Sequence, residues 1–389
     1  MSMEPTEKGV VIVGSGFAAY QLVRMIRRQD RAVPVTVVTA DSGDDYSKPD
    51  LSHVFSKQQR ASDLVKQSAA DFASEQNITL LTHTRVEQIL REEKCLVTAT
   101  RTISYDKLVL ATGASPFKLP IEGDGVDHMI TLNSLQEYDN AHEQLAKAKK
   151  VLVVGAGLVG TEIAMDLLSA DRKVILNDRA ERLIPGLLPE FVANQLFRSL
   201  AAEGCDLALG TELVRVNRME QGFEVLLANG QSYQVDAVIS AAGLVPHKQL
   251  AEQAGLKTGR GIIVNKQLLT SDSAIYALGD VAEIEGQVMP FLQPIMLSAG
   301  ALANTLVGKE TSVHMPAMLV KVKTPAYPIQ LAGRTAGDDL SWKVDVSGQG
   351  MLVQSYDEAG QLAGFITTEQ RMPEGFPLLR QLPAVIQGV

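Results

Sequence analysis

Reactive thiols, metal-ligand clusters, long apolar runs and excess positive charge are all scarce in this chain of 389 residues. Each scarcity excludes something. Cys95 and Cys205 are its two cysteines, more than a hundred positions apart. No Cys-x-x-Cys pair exists, so a local redox disulfide cannot be built. A long-range bridge does not suit a reducing compartment, and both thiols are expected to be packing residues without chemistry. The six histidines, at 53, 83, 128, 142, 247 and 314, show no metal-ligand spacing. Zinc sites and thiolate-bound iron–sulfur clusters drop out, and redox chemistry would fall to an organic cofactor. No apolar stretch approaches the ~20 residues that span a bilayer. The polar, acidic start Met1-Ser-Met-Glu-Pro-Thr-Glu-Lys8 does not read as a secretory signal, so a cytoplasmic location is expected. Lysine plus arginine number 36 against 45 acidic residues, a formal charge of −9. That balance argues against a nucleic-acid or anionic-membrane binder. Tryptophan occurs once, at position 342.

What is present is a folded core's worth of apolar residues: 46% hydrophobic, 21% charged. At roughly 150 residues per domain, two or three domains are expected. One pattern occurs twice. Val10-Val-Ile-Val13 reads as a buried parallel strand and leads into Gly14-Ser15-Gly16-Phe17-Ala18-Ala19, then a helix to about Gln29. Arg27 and Arg28 in its last turn suit the negative end of the helix dipole. Val35–Thr39 gives the next strand, ending at Asp41, and 106–110 gives another that closes in the small-residue turn Ala111-Thr112-Gly113. The second copy starts at Val151–Val154 and Gly155-Ala-Gly157-Leu158-Val159-Gly160. A helix to about Ala170, a strand 173–177 with Asp178 at its end, and a strand from Val235 to Gly243 follow. Two βαβ nucleotide-binding folds explain this economically.

In each loop the first glycine permits a tight turn and the second lets backbone approach a pyrophosphate. The third position, Ala19 or Gly160, lets helix pack close to strand. The helix N-terminus then offers free N–H groups and a positive dipole to phosphate. Asp41 and Asp178 stand where a carboxylate would accept hydrogen bonds from an adenosine ribose. A carboxylate ~4 Å from a 2′-phosphate costs about 1 kcal/mol per unit charge in water, and more at lower dielectric. Asp178 therefore favours NADH over NADPH, although the adjacent Arg179 softens the preference.

A third motif, Thr270-Ser-Asp-Ser-Ala-Ile-Tyr-Ala-Leu-Gly279-Asp280, is a short hydrophobic strand closed by Gly-Asp. With the two glycine loops it resembles the second flavin motif of the two-dinucleotide-domain flavoprotein reductases, over nearly the whole chain. Tyr46–His53, Phe291–Ala299 and Pro316–Pro325 narrow the resemblance to the rubredoxin reductases. The single Trp342 departs from the tryptophan-rich C-terminal motif of oxygenase-coupled ferredoxin reductases. The implied fold class is α/β, with two Rossmann-like domains for FAD and NAD and a small C-terminal α+β interface domain. The FAD domain would be discontinuous, 1–117 and 244–318, with the NAD domain at 118–243 and the interface domain at 319–389.

The same resemblance implies site roles. Lys48 would lie near the flavin and stabilise negative charge on the reduced ring, with Lys323 in a similar role. Pro49 would fix the loop beside the ring. Glu162 would stand between the nicotinamide and flavin sites, and Leu292 would start the helix beside the flavin. Val86 and Gly243 join the cofactor-binding set, Asp280 would bind the ribityl chain, and no residue need act as a general acid or base. The implied activity takes hydride from NADH onto tightly bound FAD and passes single electrons to the rubredoxin centre of a flavorubredoxin, supporting nitric oxide reduction. Nicotinamide gives two electrons at once and a rubredoxin iron takes one, and a flavin can do both. Without a cysteine pair, electrons would go straight from flavin to the outside acceptor. Two alternatives stand beside this reading: a free rubredoxin as acceptor, as in an alkane-oxidation chain, and an NADH-responsive flavoprotein sensor. Because rubredoxins are acidic, a local basic region from Lys48, Lys57, Arg60, Lys321 and Lys323 is expected to steer the partner, with an apolar docking surface as the alternative. A monomer is expected.

Overall fold

The computed structural model describes residues 9–386. Val10–Val13 is the central strand of a five-stranded sheet. Lys107–Leu110 and then Ile275–Ala277 lie on one side of it, Val35–Val38 and then Thr79–Leu81 on the other. All four pairings are parallel. Parallel strands all end at one edge, so the turns 14–16, 39–41, 111–113 and 278–280 are brought together there. The helix Phe17–Gln29 buries Ala19, Tyr20, Leu22, Val23 and Ile26, a stripe at helical spacing, and packs against the helix Leu292–Leu306. Arg27 does more than complement a dipole. It is 8% exposed, and its guanidinium donates to the carbonyls of Gln76 (2.6 Å), Val33 (2.8 Å) and Asn77 (3.0 Å).

The second copy forms a four-stranded parallel sheet in the order Asp206–Leu209, Lys173–Asp178, Lys150–Val154, Ala237–Ser240. Where the chain passes between the two sheets, Ala114–Pro116 pairs antiparallel with Leu244–Pro246. His247 pins this crossing from behind. Its Nδ1 donates to the Thr112 carbonyl (2.8 Å), the Thr112 hydroxyl donates to the His247 carbonyl (2.9 Å), and Nε2 meets the Ser115 hydroxyl.

The C-terminal part is a five-stranded antiparallel sheet in the order Val320–Val322, Ile329–Gly333, Leu362–Thr368, Gly350–Tyr356, Ser341–Ser347. Its inward residues Val322, Ile329, Leu331, Val353 and Ile366 belong to one apolar cluster with Ile163 and Leu167 of the second sheet's helix and Leu51 and Val54 of the first region. Three parts of the chain therefore share a core, which holds their polar side chains in fixed relation. Among the described residues no helix is long and apolar enough to cross a membrane.

Candidate active site

At the edge of the first sheet, Gly14 has φ +112° and its amide donates to Val38 (2.8 Å). The Ser15 and Thr39 hydroxyls are bonded at 2.8 Å, tying the loop to the second strand's end without using Asp41, which is exposed. Thr84 and His83 donate backbone N–H groups to Thr39 (2.7 Å) and Asp41 (3.0 Å), which brings the approach to Val86 alongside. The helix starting at Phe17 has no side-chain cap and no acid in its first turn. A Cβ placed on Gly16 would meet nothing within 4 Å. Uncapped N–H groups facing open space are what a pyrophosphate requires, so these residues fit a dinucleotide.

Gly279 (φ +84°) closes the same edge, where an added Cβ would lie 2.7 Å from that of Ala18. Only glycine lets the third motif sit against the first loop. Asp280 follows, and its carboxylate lies 4.0 Å from the Lys48 ammonium. Burial pushes Asp280 above the ordinary carboxylate range while Lys48 opposes. Burial likewise lowers Lys48, opposed by Asp280 and Glu137. Its side chain nonetheless keeps 38% exposure. Pro49 continues the short turn Lys48–His53, and Leu292 opens its helix with Phe291 and Met296, all three exposed.

At the second edge, Gly155 has φ +106°, and a Cβ on Gly160 would fall 1.8 Å from the Gly155 carbonyl oxygen. No substituent fits there. Gly157 matches Gly16: its helix, Leu158–Ser169, lacks a side-chain cap and the space over the glycine is open. Val159 in the first turn is 53% exposed. Asp178 holds the loop, one oxygen accepting from Ala156 N (2.6 Å) and the other from Ala180 N (2.8 Å). Each oxygen keeps acceptor capacity for ribose hydroxyls. Beside it lies an open cavity of about 690 Å³ lined by Arg179, Ala180, Gly210, Thr211, Glu212, Ala228 and Asn229. Gly243 (φ +105°) ends the turn after the strand Ala237–Ser240.

Glu162, one turn into that helix, joins the three parts. Buried at 7% exposure, it accepts from Ser52 Oγ (3.1 Å) and from the backbone N–H of Lys323 (3.3 Å). The Lys323 ammonium donates to the Pro49 carbonyl (3.4 Å). Asp166, four residues on, accepts from Phe55 N (2.7 Å), Ser56 N (3.3 Å) and the Ser56 hydroxyl. Sequence reasoning missed Ser52, His53, Ser56 and Asp166. A signal existed: two acids at i and i+4 on an otherwise apolar helix need partners if buried. Both cysteines are buried and free, and burial raises their thiols, Cys205 to about 12. Neither is a thiolate at neutral pH.

Residues 8–301 match the pyridine nucleotide-disulphide oxidoreductase family, and residues 312–382 match the rubredoxin binding C-terminal domain. The nitric oxide reductase FlRd-NAD(+) reductase of Aliivibrio fischeri is 49% identical over 373 residues, 96% of this chain and 98% of that one. The protein of that name from Escherichia coli (strain K12 / DH10B) is 48% identical, with 96% and 99% covered. Among solved structures, a ferredoxin reductase from Rhodopseudomonas palustris superposes with a TM-score of 0.85 at 26% identity, covering 96% of this chain and 95% of that one. The putidaredoxin reductase of a covalent complex with putidaredoxin gives 0.87 at 25% identity, covering 96% and 93%.

Proposed function

From a chain that belongs to the pyridine nucleotide-disulphide oxidoreductase family, in the branch of the nitric oxide reductase FlRd-NAD(+) reductases, we infer an FAD-dependent enzyme that takes hydride from NADH and passes single electrons to the rubredoxin centre of a flavorubredoxin, in support of nitric oxide reduction. One observation carries the reading. The C-terminal sheet, in the rubredoxin-binding segment, is hydrogen-bonded through Lys323 to Glu162 and to Pro49, between the two dinucleotide cradles. A carrier docked on that sheet would stand next to the place where reducing equivalents arrive. A cytoplasmic, monomeric enzyme is part of the proposal.

The division into 1–117 with 244–318, 118–243 and 319–389 is proposed with it, the paired strands Ala114–Pro116 and Leu244–Pro246 serving as the hinge. When bound, FAD supplies the conversion between hydride and single-electron transfer. The chain's residues do the rest. Gly14–Ala19 and the uncapped helix behind them would hold the pyrophosphate, Asp41 and Val86 the adenosine end, and Ala111–Gly113 with Gly279 the approach to the ring. Asp280 would accept from the ribityl hydroxyls. Lys48 would place its charge against the reduced ring, where a negative neighbour favours its protonated form. Gly155–Gly160, Asp178 and Gly243 would hold NADH, with Glu162 orienting the nicotinamide. Asp178 disfavours a 2′-phosphate, which sets NADH before NADPH.

The test compares flavorubredoxin, free rubredoxin, ferredoxin and oxygen as acceptors for one preparation, after anaerobic mixing with NADH. Fast bleaching of the flavin and fastest turnover with flavorubredoxin are expected. Bleaching without catalytic transfer to any rubredoxin would leave a sensor. Lys57, Arg60, Lys321 and Lys323 are exposed, so with Lys48 they would steer an acidic carrier. Raising ionic strength from about 0.01 to 0.5 M should slow partner reduction roughly tenfold or more while leaving reduction by NADH little changed. Indifference of the partner rate to salt would remove the basic steering patch.

A further inference from the structure

His53 closes the turn Lys48–His53, and its Nε2 is buried without a hydrogen-bond partner, 3.7 Å from Glu162 Oε2. Ser52 Oγ lies within reach of both Glu162 Oε2 (3.1 Å) and the Pro49 carbonyl (3.1 Å), yet a hydroxyl has one proton to give. When Ser52 donates to Pro49, Oε2 of a buried carboxylate is left without that donor. Asp166 faces no such shortage, because three donors from Phe55 and Ser56 satisfy it. The group aimed at the deficit is the imidazole of His53.

We propose that His53 is a positioning residue, holding Glu162 at the nicotinamide end of the site through its Nε2–H and so freeing Ser52 to fix Pro49. The assignment rests on the proposed placement of Glu162 beside the nicotinamide. The groups facing His53 are Glu162 and Asp166 from the helix, Lys323 from the C-terminal part and Lys57 from its own segment. Burial, then Lys323, lower its pKa below the ordinary imidazole value, with Glu162 and Asp166 opposing. The ring is therefore neutral at physiological pH, and as the Nε2–H tautomer it would offer its proton towards Glu162 Oε2, 3.7 Å away, without carrying charge. On acidification it becomes a charged donor, partly cancels Glu162 and weakens that residue's hold on the nicotinamide.

The holoenzyme tests this in two ways. Histidine ¹⁵N and ¹³C resonances, assigned with His53→Gln, should show His53 as the Nε2–H tautomer, titrating below an ordinary histidine. Glu162→Gln should lower that titration further. In steady-state kinetics, His53→Ala should raise KM for NADH roughly five- to tenfold with kcat within about twofold. His53→Gln, whose amide places a neutral donor near the Nε2 position, should restore KM at pH 7.5 to within about twofold. Wild-type KM should rise as the pH falls below the ordinary imidazole pKa of about 6.5, and that of His53→Gln should not. An Nδ1–H tautomer, a titration indifferent to Glu162→Gln, or a KM pH profile unchanged in His53→Gln overturns the proposal. Should His53→Ala not fold, the resonance and glutamine measurements decide alone. A wild-type protein that binds FAD but is not reduced by NADH would sink the proposed function instead, and the resonance data would still report the His53–Glu162 contact.

Discussion

The two glycine loops look interchangeable in sequence, yet the structure ties them down by different chemistry. The first is bound to its second strand by a neutral pair, Ser15 and Thr39, and Asp41 is left exposed. The second is bound by the Asp178 carboxylate itself, which accepts from Ala156 and Ala180. A methyl group is accommodated at Ala19, which is fully buried, whereas Gly160 leaves 1.8 Å for a Cβ. The first cradle is closed by a further motif, Gly279-Asp280, and by the helix Leu292–Leu306. The second stands beside an open cavity. A cofactor held by many independent contacts stays, and one held by a few groups, each doing double duty, exchanges. That contrast suits a resident FAD and a passing NADH.

Breaking the third loop position should give the largest effect. Gly160→Ala must displace the Gly155 carbonyl, so NADH affinity should fall roughly 10–100-fold while the flavin content stays normal. Ala19→Gly, the mirror change, should cost about 1 kcal/mol of helix stability and spare both cofactors. Absorbance spectra and NADH titration read both variants, and equal tolerance at the two positions would erase the contrast. Next come the strand-end acids. Asp178→Ala should weaken NADH about tenfold and narrow the gap to NADPH, whereas Asp41→Ala should change FAD retention by less than about threefold. Flavin loss from Asp41→Ala as severe as the NADH defect would show that both acids serve alike.

A smaller effect concerns stability. Asp280 has its folded pKa raised by burial, so its ionisation opposes folding of the apoprotein. Its contribution is neutral below the unfolded carboxylate pKa and grows unfavourable as pH rises from there until it is complete above the folded value. Asp280→Asn should therefore raise the apoprotein Tm at pH 7, with the gain vanishing towards pH 3, and should weaken FAD retention. A lower Tm at pH 7 would contradict the sign. The smallest effect is expected from the thiols: Cys95→Ala with Cys205→Ala should leave turnover per bound FAD within about twofold. A collapse of turnover would mean that a cysteine takes part.

Much of this was legible in the chain because it lies in local patterns. Val10–Val13 before Gly14, and Lys150–Val154 before Gly155, are short apolar runs feeding glycine turns, and they became the central strands of two parallel sheets. Arg27 stands in the last helical turn as its position suggests, but its carbonyl acceptors at Gln76 and Asn77 lie some fifty residues away and leave no trace in the local pattern. Ser52, His53 and Asp166 escaped notice for the same reason: their partners lie on other segments, and no local spacing records them.

The sequence by itself determined the two dinucleotide folds, since hydrophobic period, glycine placement and strand-end acid are fixed within about thirty residues each. It also excluded a local dithiol relay, because the two cysteines stand more than a hundred positions apart. Only the tertiary structure decided that Lys48 meets Asp280, that Glu162 accepts from Ser52 and Lys323 with His53 3.7 Å away, and that the C-terminal sheet enters the same apolar core as the helix Leu158–Ser169. Those contacts join residues up to 232 positions apart, Lys48 to Asp280 (280 − 48), and packing alone brings them within reach.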